Sequence, residues 1–128
     1  MQIDGVISEL GEMVGIESLT INEHGVIHLT IDKIGDLFID DKVIDGYHFI
    51  FVYLLRVYEF VSTRLYEQAL LLCDFRHKYP LVINPVLRND QALGFAVKHS
   101  SENFNIQILR QSIEVLKDLQ DRLESTGV

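Results

Sequence analysis

The sequence is poor in the residues that point to disulfide scaffolds, nucleic-acid binding or membrane surfaces. Its 128 residues contain one cysteine, Cys73, so an internal disulfide is excluded and a reducing compartment is expected. There are 11 basic residues against 19 acidic ones, and the resulting net charge of −8 repels phosphate backbones and anionic lipids. We therefore expect neither nucleic acid nor a membrane as a partner, and a basic or simply apolar protein partner is favoured instead.

Apolar runs long enough to cross a bilayer are also missing. The longest apolar-rich stretch, 47–61, is interrupted by His48, Arg56 and Glu59, and its uncharged part is too short to span a membrane. The first ten residues, MQIDGVISEL, lack the basic start and the long apolar run of a signal peptide. These features predict a soluble, cytoplasmic protein.

Catalytic and metal-binding signatures are absent as well. The sequence has no glycine-rich phosphate loop, no G-x-S-x-G and no H-E-x-x-H. His24 and His28 lie close together and His48 could reach them across a sheet, but a metal site needs three or four convergent ligands, and a turn and an outward strand face carry polar residues anyway. Cys73 lies on the apolar side of a predicted helix with no histidine placed to activate it. We expect no catalytic residue, no metal and no cofactor.

What the sequence does contain is a globular composition with clear helical periodicity. Hydrophobic residues make up 48% and charged residues 23%, and the length suits one domain with one core. Apolar residues at spacings of three and four predict helices over 3–14, about 64–78 and about 105–124. Gly15 is suited to end the first helix, because glycine adopts the left-handed conformation without strain.

Strand-like segments lie between these helices. Asn22 and Gly25 supply a turn before the first of them, and Asp45-Gly46 is a strong hairpin signal between the second and the third. The strands are expected at 26–31, 34–43, 47–55, 81–89 and 92–99. The predicted fold is a single α+β domain over 1–128, with an antiparallel sheet of about five strands and three helices in the order α-β-β-β-α-β-β-α.

Surplus apolar residues predict an interface between molecules. On the middle helix Leu71 and Phe75 fall outside the apolar face, and Phe38 shares its strand face with Asp36 and Asp40. Single exposed apolar residues are normal, but two of them one turn apart on an already apolar helix favour association. We therefore predict a homodimer with Leu71 and Phe75 at or near its two-fold interface.

Three short segments follow the predicted first helix: GI at 15–16, EHG at 23–25 and LTID at 29–32. With the patterns above, they resemble the class I, or CesT-like, chaperones of type III secretion. That family opens with an amphipathic helix ending in a Leu-Gly-type turn, followed by a short acidic turn with glycine and a strand that closes in Leu-x-Ile-Asp. The segment LYEQALLLCDF at 65–75 resembles the family's second helix, and VINP at 82–85, the hairpin and the terminal helix match in order and spacing. The resemblance covers nearly the whole chain.

One segment departs from the family pattern. The family usually has a small, turn-like loop after the third strand, whereas 54–61 of this sequence reads LLRVYEFV, which is bulkier and more apolar. The resemblance therefore leaves the path of this segment open.

The resemblance implies a cytoplasmic homodimer without enzymatic activity or nucleotide binding. Each dimer would bind the N-terminal segment of a secreted effector in extended form and keep it competent for export, and the secretion ATPase is a further candidate partner. An extended segment pairs its backbone with a sheet edge and places alternate apolar side chains in grooves. The candidate contacts lie at the free end of the first helix and along the second strand: Ile3, Val6, Ile7, Ile34, Phe38 and Val43.

Two other interpretations stay open at this point. One is a dimeric α+β protein-binding or regulatory module for a folded partner. The other is a small enzyme with an unrecognised site, although a convergent polar constellation, which is the minimum for such a site, is not found in the sequence.

Overall fold

The computed structural model describes residues 16–21, 25–31, 33–74, 81–88 and 91–127 of the chain. The helix that the sequence predicts over 3–14 lies outside these ranges, together with its terminating Gly15.

In the described residues the chain forms one six-stranded antiparallel sheet and two α-helices. The strands are β1 (Ile16–Ile21), β2 (Ile27–Ile31), β3 (Gly35–Ile44), β4 (Tyr47–Val57), β5 (Ile83–Leu87) and β6 (Ala92–Ser100). Their spatial order is β1-β2-β3-β4-β6-β5. The helices are α1 (Thr63–Leu72), between β4 and β5, and α2 (Ile106–Gly127), which follows a short 3-10 helix (Ser101–Asn103).

The α+β class and the antiparallel sheet are confirmed, but the strand count is corrected from about five to six. The strand that the sequence prediction missed is β1, with the sequence IESLTI. Its pairing with β2 shifts register between Ile16 and Ser18, which marks a bulge or a similar irregularity. A bulge adds one residue to the strand and breaks the period-two alternation by which strands are recognised.

The core lies between the sheet and the two helices. Leu37 and Ile39 on β3 and Val52 and Leu54 on β4 are completely buried, as their alternation along each strand requires. The helices contribute apolar side chains to the same cluster: Leu65, Ala69, Leu109, Ile113, Leu116, Leu119 and Leu123. Each fully buried Val, Leu or Ile side chain stabilises the fold by about 1.5–3 kcal/mol relative to an exposed one.

Helix boundaries follow the capping signals in the sequence. The Ser62 side chain accepts a hydrogen bond from the Leu65 amide at 3.0 Å, and the Asn105 side chain accepts one from Ile108 at 2.9 Å. α1 ends at Leu72, earlier than predicted, and the rest of its predicted range from residue 75 lies outside the described part of the chain. β4 continues to Val57, so the first half of the segment 54–61 is strand rather than loop.

A buried amide ties α2 to the sheet. Gln120 is completely buried, and its Nε2 donates to the carbonyl oxygens of Leu54 at 3.1 Å and Leu93 at 2.8 Å. The Tyr58 hydroxyl donates to Gln120 Oε1 at 2.8 Å, and burial raises the pKa of Tyr58 to about 12, which keeps this proton in place. A Cβ at Gly94 would lie 1.8 Å from the Leu54 oxygen and 2.8 Å from Gln120 Nε2, so only glycine fits beside the amide.

The β3–β4 hairpin extends beyond its neighbours. β2 stays in register with β3 only as far as Ile39, and β6 pairs with β4 only from Phe49 onwards. The distal part of the hairpin, 43–48, is therefore a two-stranded ribbon. It turns at Asp45 and Gly46, which both have positive φ, as the hairpin signal in the sequence predicts.

Candidate functional site

The face of the sheet that points away from the helices carries a stack of three aromatic rings; we call it the outer face. Phe38 alternates with the buried core residues of β3, and His28 on β2 and Tyr53 on β4 are its register partners. The ring centroids of His28 and Phe38 are 4.4 Å apart with an interplanar angle of 7°, and those of Phe38 and Tyr53 are 4.9 Å apart with an angle of 8°. The stack runs across three adjacent strands.

The surroundings of Phe38 differ in one respect from the sequence expectation. Phe38 does share its strand face with Asp36 and Asp40, as predicted. The sequence pattern, which treats Phe38 as an aromatic side chain alone on an acidic face, misses its cross-strand neighbours His28 and Tyr53. Such cross-strand pairs contribute to sheet stability and hold the rings in place.

Beside this stack lies an open, mostly apolar groove with a volume of about 460 Å³; we call it the aromatic groove. Its floor comes from outward-facing residues of β3, β4 and β6, and its far wall comes from β5 and the residue that follows it. The lining residues are Val26, Phe38, Asp40, Lys42, Phe51, Tyr53, Val86, Arg88 and Ala96. This size and composition are typical of ligand sites that take apolar groups and orient them with a few polar ones.

Charged side chains border the aromatic groove. The Arg88 guanidinium carbon lies 5.3 Å from the centroid of the Phe38 ring, and Lys42 Nζ lies 3.4 Å from Asp40 Oδ2. Burial of the phenol raises the pKa of Tyr53, Asp40 raises it further, and Arg88 opposes the shift. Tyr53 therefore keeps its proton at neutral pH and can donate a hydrogen bond into the groove.

A second cleft, of about 520 Å³, lies where the turn before β3 meets the end of α2. Arg56 Nε donates to the Ile34 carbonyl oxygen at 2.7 Å, and Arg56 Nη1 lies 3.0 Å from carboxylate oxygens of both Asp121 and Glu124. The hydrogen bond from Lys117 is the main cause that lowers the pKa of Asp121, with Arg56 adding to it. Most of the charge in this cleft is therefore compensated within the chain.

The structure separates the sequence-predicted contact residues. Phe38 lines the aromatic groove, Ile34 packs partly against the core beside the second cleft, and Val43 is 67% exposed near the hairpin tip. By register Val43 pairs with His48 on the side opposite to Phe38. Ile3, Val6 and Ile7 lie outside the described residues.

Sequence reasoning did not select Tyr53, Val86 or Arg88 as site residues. The available signal was the apolar character of both faces of 47–55, which predicts that something covers each face. It did not reveal that Arg88, which follows β5 and is distant in sequence, lies over the Phe38 ring, since that depends on the strand order β3-β4-β6-β5.

The described residues include only part of the helix surface that the sequence predicts as a dimer interface. Leu71 on α1 is 55% exposed, and the adjacent Leu70 is exposed as well. Phe75, its predicted companion, falls beyond the last described residue of this segment, Asp74.

Metal and thiol chemistry find no support in the described part of the chain. Within ranges 25–31, 33–74, 81–88 and 91–127 no three side chains of His, Cys, Asp or Glu are grouped to hold a metal ion. His28 bonds to Asp36 at 2.9 Å and His48 contacts Asp41, while His24 lies outside these ranges. Burial raises the pKa of Cys73 to about 11, so its thiol is not ionised at neutral pH. No α-helix among the described residues is long and apolar enough to cross a membrane.

Comparison with known proteins identifies the fold. No protein-family model matches the sequence, and no match is found among curated protein sequences. Among solved structures, the chain resembles the Yersinia pestis type III secretion chaperone SycH, solved in complex with a stable fragment of YscM2, with a TM-score of 0.57 and 21% identity over 97% of this chain and 95% of that one. It also resembles a chain of the heterodimeric ExoU–SpcU complex from the type III secretion system of Pseudomonas aeruginosa, with a TM-score of 0.58 and 14% identity over 94% and 93%. The chain has the fold of type III secretion chaperones, as the sequence resemblance predicted.

Proposed function

We propose that this protein is a type III secretion chaperone that binds an extended segment of a secreted effector and keeps it competent for export. The observation that carries the proposal is the aromatic groove on the outer face, which the described residues leave open. The fold supports the same conclusion, since SycH was solved with a stable fragment of a second protein bound.

The physics of the groove suits an extended ligand rather than a reaction. Its lining is mostly apolar, and its polar groups do not converge as a nucleophile with a base would. An extended segment presents every second side chain to one surface, so it can bury apolar residues against Phe38, Tyr53 and Val86. A disordered segment needs a large apolar contact area to offset its ordering entropy. The other contacts that we propose for it are Ile3, Val6, Ile7, Ile34 and Val43.

The assembly and location are part of the same proposal. The chain acts in the cytoplasm as a homodimer, with Leu71 and Phe75 at or near the interface, and binds the N-terminal segment of the effector. It has no enzymatic activity and needs no cofactor, and the secretion ATPase is a candidate further partner. The exposed Leu70 and Leu71 on α1 support a protein-covered helix surface.

The first step of the test is to find the ligand. Affinity purification from the native host, followed by mass spectrometry, identifies bound proteins, and the segment responsible is then expressed alone. We expect a segment of an effector that has no stable fold by itself. A partner that binds only as an intact folded domain would instead favour the alternative, a dimeric protein-binding or regulatory module.

The second step tests the groove. Phe38→Asp should weaken binding of that segment at least about tenfold, because about 1.4 kcal/mol corresponds to a factor of ten and a buried aromatic contributes more. Phe60→Asp is the matched control, since Phe60 is 73% exposed and does not line the groove. Val86→Asp on the opposite wall gives a second measurement if Phe38→Asp fails to fold. Unchanged affinity in folded Phe38 and Val86 variants would rule out the aromatic groove as the site.

A further inference from the structure

The aromatic groove has the opposite sign of charge from the chain as a whole. The whole sequence carries a net charge of −8. Among the groove's lining residues, Lys42 and Arg88 are cationic and Asp40 is anionic, so the lining carries a net charge of +1. A ligand that approaches this protein therefore meets a local cationic site on a largely anionic surface.

Arg88 is the cation of the groove for which the described part of the chain supplies no carboxylate partner. Asp40 is engaged by Lys42 at 3.4 Å, and no ion pair found among the described residues includes Arg88. The guanidinium is instead held 5.3 Å from the Phe38 ring centroid. A guanidinium that packs on an aromatic face still has N–H groups pointing outward in its own plane. A carboxylate can accept two hydrogen bonds from them.

Backbone hydrogen bonds hold the main chain of Arg88. The Arg88 amide donates to the Ala92 carbonyl oxygen at 2.9 Å, and the Arg88 carbonyl oxygen accepts from the Gln91 amide at 3.2 Å. These two hydrogen bonds join the end of β5 to the start of β6 directly after Leu87. Arg88 therefore stands at the end of a paired strand rather than on a loose loop, which favours a defined geometry for any ion pair that it makes.

We propose that the segment bound in the aromatic groove carries an apolar anchor side chain seated among Phe38, Tyr53 and Val86, and an acidic residue two positions away that pairs with Arg88. The inference rests on the proposed function and specifies the chemistry of its ligand. In an extended chain, residues i and i+2 point to the same side and lie about 7 Å apart. The Arg88 guanidinium carbon lies 5.3 Å from the centroid of the Phe38 ring. The two distances are compatible, because the carboxylate lies farther along the segment than the anchor side chain that contacts Phe38.

Charge complementarity selects an acidic rather than a basic segment. A basic segment would be attracted to the anionic surface that makes up most of the molecule and would gain nothing specific from Arg88. An acidic segment is repelled elsewhere and finds its favourable contact at the groove, which directs it to one site. The pair would lie beside an apolar ligand that excludes water, where a charged hydrogen bond is stronger than on an open surface.

The test uses random dodecapeptides displayed on phage and selected against the immobilised full-length chain. We expect the enriched peptides to share an aromatic or aliphatic residue with Asp or Glu two positions from it. Selection against Arg88→Glu should lose this acidic preference and turn it towards Lys or Arg. The control variant is Arg110→Glu, which makes the same change of charge at an exposed position on α2 and should leave the acidic preference intact.

Synthetic peptides then give the magnitude. For an enriched peptide, Arg88→Glu should lower the affinity at least about tenfold, because two carboxylates would then face each other. Replacing the acidic residue of the peptide with Lys should restore binding to that variant, because opposite charges would face each other again. Apolar peptides without any acidic preference would overturn this inference and leave the proposed function standing. If no peptide is enriched over a Phe38→Asp variant, both the groove as a segment-binding site and its charge preference are wrong.

Discussion

His99 is a histidine whose hydrogen bonds define the tautomer of its neutral ring. Its Nε2 lies 2.7 Å from Ser112 Oγ, and the Ser112 hydroxyl donates to the Ile108 carbonyl oxygen at 2.8 Å. Since the hydroxyl has a single proton, His99 must donate from Nε2, which leaves Nδ1 free of a proton in the neutral ring. Burial lowers the pKa of His99, so the neutral form is favoured.

We expect this residue to make stability fall on acidification. The folded state binds a proton on His99 more weakly than the unfolded chain does, so the loss begins near the ordinary pKa of 6.5 and continues until the pH reaches the lowered value. Urea unfolding at neutral pH and at about pH 5.5 should show a larger difference in midpoint for the wild type than for His99→Gln, which keeps an N–H donor but does not titrate. Equal differences in both proteins would assign the pH dependence to other groups.

At the scale of elements, one buried amide adds polar contacts to the apolar packing of α2 on the sheet. Gln120 supplies both N–H groups to carbonyl oxygens of β4 and β6 and accepts from Tyr58. Gln120→Leu keeps the size of the side chain but leaves these buried groups without partners, so we expect the free energy of unfolding to fall by about 1–3 kcal/mol. Urea unfolding measures this, with Gln111→Leu at an exposed position of α2 as the control. A loss no larger than that of the control would mean that water replaces the amide.

The elements were predictable where a local pattern decides them. The turn at Asp45-Gly46, the caps at Ser62 and Asn105 and the facing of Phe38 on β3 each follow from neighbouring residues, and the structure confirms them. β1 was missed because its register shift disrupts the alternation that a sequence shows. Of the residues that line the aromatic groove, the sequence predicts only Phe38 as a contact.

The rest of the groove depends on which strands become neighbours. Val86 and Arg88 come from β5 and its end, and they reach the outer face because β6 pairs between β4 and β5. A sequence pattern sets the facing of a side chain within its own strand, but it does not set the partner strand or the register. Arg88 over Phe38 was therefore not accessible from either segment alone.

At the scale of the whole molecule, we predict a homodimer that depends on α1. Leu71→Glu, alone or with Phe75→Glu, should give a monomer or an aggregate, because it places a charge where two apolar helix surfaces would meet. Leu87→Glu is the control, since Leu87 on β5 is 51% exposed, close to the 55% of Leu71. Light scattering at micromolar concentration measures the mass. An unchanged dimer would place the interface elsewhere, and a monomeric wild type would remove the dimer from the proposed function.

The ribbon at the end of the β3–β4 hairpin gives the molecule one region whose length is free to change during evolution. Val43 pairs with His48 and Ile44 with Tyr47, past the ends of β2 and β6, so the six-stranded sheet does not depend on how far the ribbon extends. Residues can be gained or lost there in cross-strand pairs without altering the facing of any core side chain. A single inserted residue would instead reverse the facing of the residues that follow it or force a bulge. Related chains should therefore differ in this hairpin mainly by even numbers of residues.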